Sequence, residues 1–320
     1  MKLAVLSSVI GILMCVGAQA AETKAAQGEK SGFVTASDGA KIHYIEAGQP
    51  GAVGGFQAGG QPAPGAIAKG KVSLSNLRRG PSILFVPGWT MPAWIWQRQI
   101  EYFSSRFRVV AMDPRCQGES SRIADGLYPA QMARDIKSVI DELRLARVVL
   151  VGWSMAVVET MAYVDQFGTH DLAGLVLVDD IAGGLGPGEA AEDIGLMKGV
   201  LEDRKGTADF FVRKIQFHKP QPEEYIRRLI ASSLSVPTNS AVALLVGRYA
   251  ADYNALLPKV DRPTLVCAAS KTPYFDRIRA MQKQIPGSRL EVFEGAGHAL
   301  FVDDPDEFNT ALGSFLDSLE

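Results

Sequence analysis

The stretch RVVLVGWSMAVVE, residues 147–159, decides the fold. Val148 to Val151 are four consecutive apolar residues, a run of the length and composition of a buried strand. From Met155 onward the chain is again apolar, at a length that suits a helix. Ser154 stands alone between the two. A strand that turns straight into a helix through one serine must turn very tightly, so the positions two before and two after it have to be small. Gly152 and Ala156 meet that condition, although glycine is more usual at the second site. Such a turn would lift the Ser154 hydroxyl clear of the sheet, whereas the plainer alternative has Ser154 capping a helix.

Further apolar runs repeat the strand pattern. SILFVPG, RVVAMD, GLVLVDD, PTLVCAA and RLEVFEG each end in turn residues, and amphipathic stretches such as PAQMARDIKSVIDELR lie between most of them. Strands alternating with helices predict a mostly parallel α/β sheet with helices on both faces. Residues 32–180 and 261–320 form this core. From Ile181 to about Val260 the chain is helical and strand-free, which predicts a helical cap over 181–260 inserted into the core. At the front, GFVTASDGAKIHYIEAG reads as a hairpin around Asp38-Gly39. It is followed by a glycine-, proline- and alanine-rich loop over 48–70, which has too little to bury and lacks the spacing of a phosphate-binding loop.

The 320 residues carry 47% hydrophobic and 21% charged side chains, a globular composition. With Lys+Arg 33 against Asp+Glu 35 the net charge is -2, and no basic stripe points to nucleic acid. Residues 1–20 read as a signal peptide: Lys2, an apolar run from Leu3 to Val16, and the small-x-small site Ala18-Gln19-Ala20. The run is too short for a typical span, so no stable membrane insertion is expected. Met14 before Cys15 argues against a lipid anchor. A periplasmic or secreted protein with a tail over 21–31 follows. Cys116 and Cys267 are expected to stay unpaired, Cys267 because it sits within an apolar strand.

With these motifs in place, the sequence resembles the α/β-hydrolase fold family over essentially all of residues 32–320. FVPGW (85–89) resembles its oxyanion loop, with Pro87-Gly88 where a His-Gly pair is usual. MDPRCQGES (112–120) resembles its Asp-x-Arg-Gly-x-Gly-x-Ser loop, with Cys116 in a glycine position, and GAGHALFVDDPDEF (295–308) resembles its histidine loop. The resemblance implies a serine nucleophile, a histidine base and two backbone N–H donors, those of Trp89 and Met155, for the developing oxyanion. The residues agree. A serine hydroxyl is a poor nucleophile without a base, and of His43, His170, His218 and His298 only His298 follows a late strand between small residues. Asp113 and Arg115 read as structural members of their loop. Trp89 and Trp153 flank the expected oxyanion site. With Trp94 they predict an aromatic pocket for an uncharged substrate.

The family's usual acid position is occupied here by Thr272, in CAASKTPYFD, and a threonine cannot hold the charge that orients the base. Asp179, at the end of GLVLVDD, matches the position a minority of the family uses; Asp180 and Asp276 are the alternatives. The leading expectation is an exported serine hydrolase that cleaves a small apolar ester or lactone through an acyl-enzyme. A weakened relative that only binds a small molecule is the second reading, motivated by Thr272, Pro87 and Cys116. A cofactor-free perhydrolase or haloperoxidase using the same residues is the third. No metal or organic cofactor is implied, and the sequence carries no signal for oligomeric state.

Overall fold

Six apolar runs of the sequence become six parallel strands. The computed structural model of the chain describes residues 28–48 and 80–320. The expected leader 1–20 and all but the first residue of the expected loop 48–70 lie outside the described residues. The strands are β1 (Lys30–Thr35), β2 (Lys41–Ala47), β3 (Ser82–Val86), β4 (Arg108–Met112), β5 (Val148–Trp153), β6 (Leu172–Val178), β7 (Thr264–Ala269) and β8 (Arg289–Phe293). They form one sheet in the order β1-β2-β4-β3-β5-β6-β7-β8, with β1 and β2 antiparallel and the rest parallel. β1 starts at Lys30, two residues before the expected core, because Lys30 and Ser31 pair with Glu46 and Ile45.

Alternation along the strands builds two apolar layers. Ile83 and Phe85 of β3, Val149 and Val151 of β5, and Val176 and Val178 of β6 face one cluster, while Leu84, Leu150 and Leu177 face the other. The helices α1 (Gln97–Phe103), α9 (Leu300–Asp303) and α10 (Pro305–Asp317) cover the first layer. The second lies under α2 (Pro129–Glu142), α3 (Met155–Phe167) and α8 (Phe275–Gln284). Trp96 is fully buried between Phe85 and Phe301, with ring centroids 4.7 and 3.7 Å away. Truncating so large a core side chain costs about 3–5 kcal/mol.

Between β6 and β7 the chain leaves the core and forms α4 (Pro187–Glu202), α5 (Arg204–Phe210), a π-helical turn over Phe211–Gln216, α6 (Glu223–Ser235) and α7 (Thr238–Tyr249). The bridge Gly183↔Asp252 and the bond from Tyr253 N–H to Ala182 C=O hold the two stems of this cap together. Phe211, Val212, Leu244 and Leu245 join the first apolar layer, so the cap is packed into the core from that side. No single helix among the described residues is long and apolar enough to cross a membrane.

Candidate active site

Each parallel strand from β3 to β6 is followed, at its C-terminal end, by a non-glycine residue with left-handed φ. These are Thr90 (58°), Cys116 (65°), Ser154 (57°) and Asp179 (51°). Strain of this kind gathers where function over-determines the backbone. Cys116 therefore holds the conformation that explains why glycine is usual in its loop.

At Ser154 the turn is as tight as the sequence requires. A Cβ on Gly152 would stand 2.4 Å from Thr160 Oγ1 and 2.5 Å from Ala156 C=O. One on Gly88 of the loop after β3 would stand 2.7 Å from Ser154 Cβ. The Ser154 side chain makes no capping hydrogen bond to α3. Its Oγ lies 2.7 Å from His298 Nε2 instead.

His298 Nδ1 lies 2.7 Å from Asp179 Oδ2. The other Asp179 oxygen accepts from Ala269 N–H at 2.8 Å, and the side chain is fully buried. Burial pushes the Asp179 carboxyl up, and the hydrogen bonds from His298 and Ala269 pull it back. With Nδ1–H donated to Asp179, Nε2 is left to accept from the serine hydroxyl. Asp180, next in sequence, turns away: Arg248 Nη2 donates to both its oxygens at 2.6 and 2.8 Å. Neighbours on a strand end point to opposite sides, and that decides between the two. Asp276 is exposed in the first turn of α8 and Thr272 lies in the β7–α8 loop. Of the three carboxylates the sequence offered, Asp179 is the one that reaches the histidine.

Met155 opens α3, so its N–H belongs to the first turn, which has no intrahelical acceptor. Trp89 follows Gly88, directly against Ser154, and its indole Nε1–H donates to Ala241 C=O of α7 at 2.8 Å. Asp113 and Arg115 serve the scaffold. Asp113 accepts from Ala93 N–H and Glu119 N–H and is paired with His43, while Arg115 is buried against Asp135 and Asp38. His170 is exposed beside Asp171. Cys116 and Cys267 are buried and free.

A cavity of about 880 Å³ opens over Ser154 and His298. Its aromatic walls are Trp89, Phe210, Phe211, Tyr249 and Tyr274. The expectation for Trp153 and Trp94 is thereby corrected. Trp153 points into the sheet's packing, against Trp96 and Phe301, and its Nε1–H donates to His298 C=O. Trp94 packs outside on Tyr225 and Arg228. An indole at the buried end of β5 must find an acceptor, and the histidine loop supplies it. His218, which the sequence passed over as the base, lies on the cavity wall with Lys214 and Lys271. The cap residues carry no motif, so only the fold brings them here. Among the described residues no cluster of three His, Cys, Asp or Glu could hold a metal ion.

A family model described as "Alpha/beta hydrolase family" matches residues 83–311. A non-heme chloroperoxidase of Kitasatospora aureofaciens is 27% identical over 260 residues, 74% of this chain and 93% of that protein. Among solved structures, an esterase from Exiguobacterium antarcticum superposes with a TM-score of 0.74 at 24% identity, covering 89% of this chain and 98% of that one. A bromoperoxidase from Bacillus anthracis gives a TM-score of 0.75 at 20% identity, over 90% of this chain and 100% of the other.

Proposed function

The chain belongs to the alpha/beta hydrolase family, and from that premise we propose that it cleaves carboxylic esters, small lactones included, through an acyl-enzyme on Ser154. The observation that carries this reading is the hydrogen-bonded line from Ser154 Oγ through His298 to Asp179, with both links at 2.7 Å. Ser154 attacks the ester carbonyl while its proton passes to His298 Nε2. The buried Asp179 charge stabilises the imidazolium that forms. The Trp89 and Met155 N–H groups hold the oxyanion, and loss of one such donor typically costs about 10²–10³-fold in rate. Collapse expels the alcohol, which takes the proton from His298. Water, deprotonated by the same imidazole, then releases the acid.

The apolar, aromatic cavity supports an uncharged group on the acyl or alcohol side. A panel of p-nitrophenyl and alkyl esters and simple lactones tests the reading. Turnover with a burst of one alcohol per Ser154 is the expected result, and hydrolysis undiminished in Ser154→Ala would overturn it. A second reading is favoured by the chloroperoxidase relative. Hydrogen peroxide attacks the acyl-enzyme in place of water, frees Ser154 and yields a peracid, which oxidises halide. Halide oxidation that depends on peroxide, a carboxylate donor and Ser154 together distinguishes it. The leader-like residues 1–20 support export to the periplasm or beyond; mature protein beginning at Ala21 is the expected finding of N-terminal sequencing.

A further inference from the structure

The loop that carries His298 is held by the cap as much as by the core. The π-helical turn Phe211–Gln216 ends where Phe217 goes extended, leaving last-turn carbonyls without helical donors. Two of them are taken by the histidine loop: Ala299 N–H donates to Gln216 C=O at 2.8 Å and His298 N–H to Ile215 C=O at 3.4 Å. One carboxylate oxygen then joins the two segments. Asp303 Oδ2 accepts from Gly297 N–H on the histidine loop and from His218 N–H on the cap segment, each at 2.8 Å. Its Oδ1 accepts from Gln221 Nε2 at 3.1 Å, also from the cap. The fit leaves no slack. A Cβ on Gly297 would stand 2.7 Å from His218 N and 2.8 Å from Gln216 C=O.

We propose that Asp303 is a positioning residue whose carboxylate locks the cap segment 215–218 and the histidine loop into one unit, so that His298 is aimed at Ser154 only while that segment is seated. Asp303 lies in α9, five residues beyond His298, and touches neither Ser154 nor the His298 ring in any hydrogen bond among the described residues. Its effect on the reaction passes through the backbone of residues 297 and 298. Without it the buried Gly297 N–H and the part-buried His218 N–H lose their acceptor, and only the Ala299–Gln216 bond and the long His298–Ile215 bond still tie the loop to the segment. Trp153 Nε1–H would still hold His298 C=O, but from one side only. The cap that lines the cavity thereby also sets the base.

The inference rests on the Ser154–His298 reading of the site, and its test separates the two. Active sites are titrated with a fluorophosphonate, and p-nitrophenyl butyrate turnover is expressed per titrated site, which removes any loss of folded protein from the comparison. For Asp303→Ala, kcat per site is expected to fall at least about tenfold, with KM changed less than about threefold. Asp303→Asn keeps one oxygen for the two N–H groups and is expected to stay within about threefold of wild type. Gly297→Ala wedges the same junction from the other side and is expected to lower kcat per site as Asp303→Ala does. Wild-type kcat per site in Asp303→Ala, with only the titratable fraction or Tm reduced, would overturn the proposal. If Asp303→Ala yields no folded protein, Gly297→Ala decides, and an unchanged kcat per site there overturns it equally. Failure of wild type to take the label would instead strike the Ser154 reading.

Discussion

Asp179→Asn is the perturbation whose outcome the structure constrains most tightly. An asparagine has one oxygen where the aspartate has two, and the two partners of Asp179 compete for it. Ala269 N–H is a backbone donor fixed by β7 and cannot change role; at 2.8 Å it requires the oxygen. The amide NH₂ is then left facing His298 Nδ1, at the position of the present 2.7 Å contact. An NH₂ there donates to Nδ1 and drives the imidazole proton to Nε2, the nitrogen that must receive the serine proton. Asp180 cannot step in, because Arg248 holds both its oxygens. In serine proteases the same exchange lowers kcat by about 10⁴, or about 5 kcal/mol of barrier. We expect a loss of that order here, between about 10³ and 10⁴, with Asp180→Asn and Asp276→Asn each within about tenfold of wild type. The assay is ester turnover per titrated site. A kcat for Asp179→Asn within tenfold of wild type would refute the reasoning.

Three other outcomes follow from the geometry. Gly152→Ala places a Cβ 2.5 Å from the Ala156 carbonyl, so the turn must open; overpacking of this kind costs about 1–3 kcal/mol, to be read as a lowered Tm with loss of turnover. Glu159, buried in α3, is pushed up from its ordinary value of 4.5 to about 8 by burial and then by the Asp135 charge. A raised folded-state value means stability is greatest below 4.5 and is lost progressively as pH rises from there through 8, by at most about 5 kcal/mol; Glu159→Gln should therefore gain Tm over wild type increasingly up to about pH 8 and level off above it, and a gain independent of pH would count against this. Finally, Gly48 and Gly80, which bound the intervening residues, both approach Phe107 just before β4, at the end of the sheet opposite the cavity. Replacing residues 50–70 by a short Gly-Ser turn should leave kcat/KM within about threefold; a large loss in folded protein would contradict that placement.

The core was legible in the sequence for a physical reason. Strands buried on both faces must be apolar throughout, so Val148–Val151 and Leu175–Val178 stand out with no other information. The turn at Ser154 was legible because the positions two before and two after it must be small, as Gly152 and Ala156 are, and Gly152 indeed has no room for a side chain. What could not be read was direction. Trp153 adjoins Ser154 in sequence, yet it points into the packing around Phe301 and only Trp89 faces the cavity. Choosing between Asp179 and Asp180 depended on the same one-residue alternation. The cap was readable as helices and no further. Phe211, Tyr249 and His218 reach the cavity through packing between distant segments, which leaves no periodic trace in the chain.

The central claim is that Ser154 is a nucleophile activated by His298, and covalent labelling tests it most directly. Wild-type protein is treated with a fluorophosphonate, digested, and the labelled peptide identified by mass spectrometry. Stoichiometric label on Ser154 is expected, with none in Ser154→Ala and labelling at least about 100-fold slower in His298→Ala, the contribution of a positioned general base. Wild-type protein that stays unlabelled, or takes the label on another residue, would contradict it.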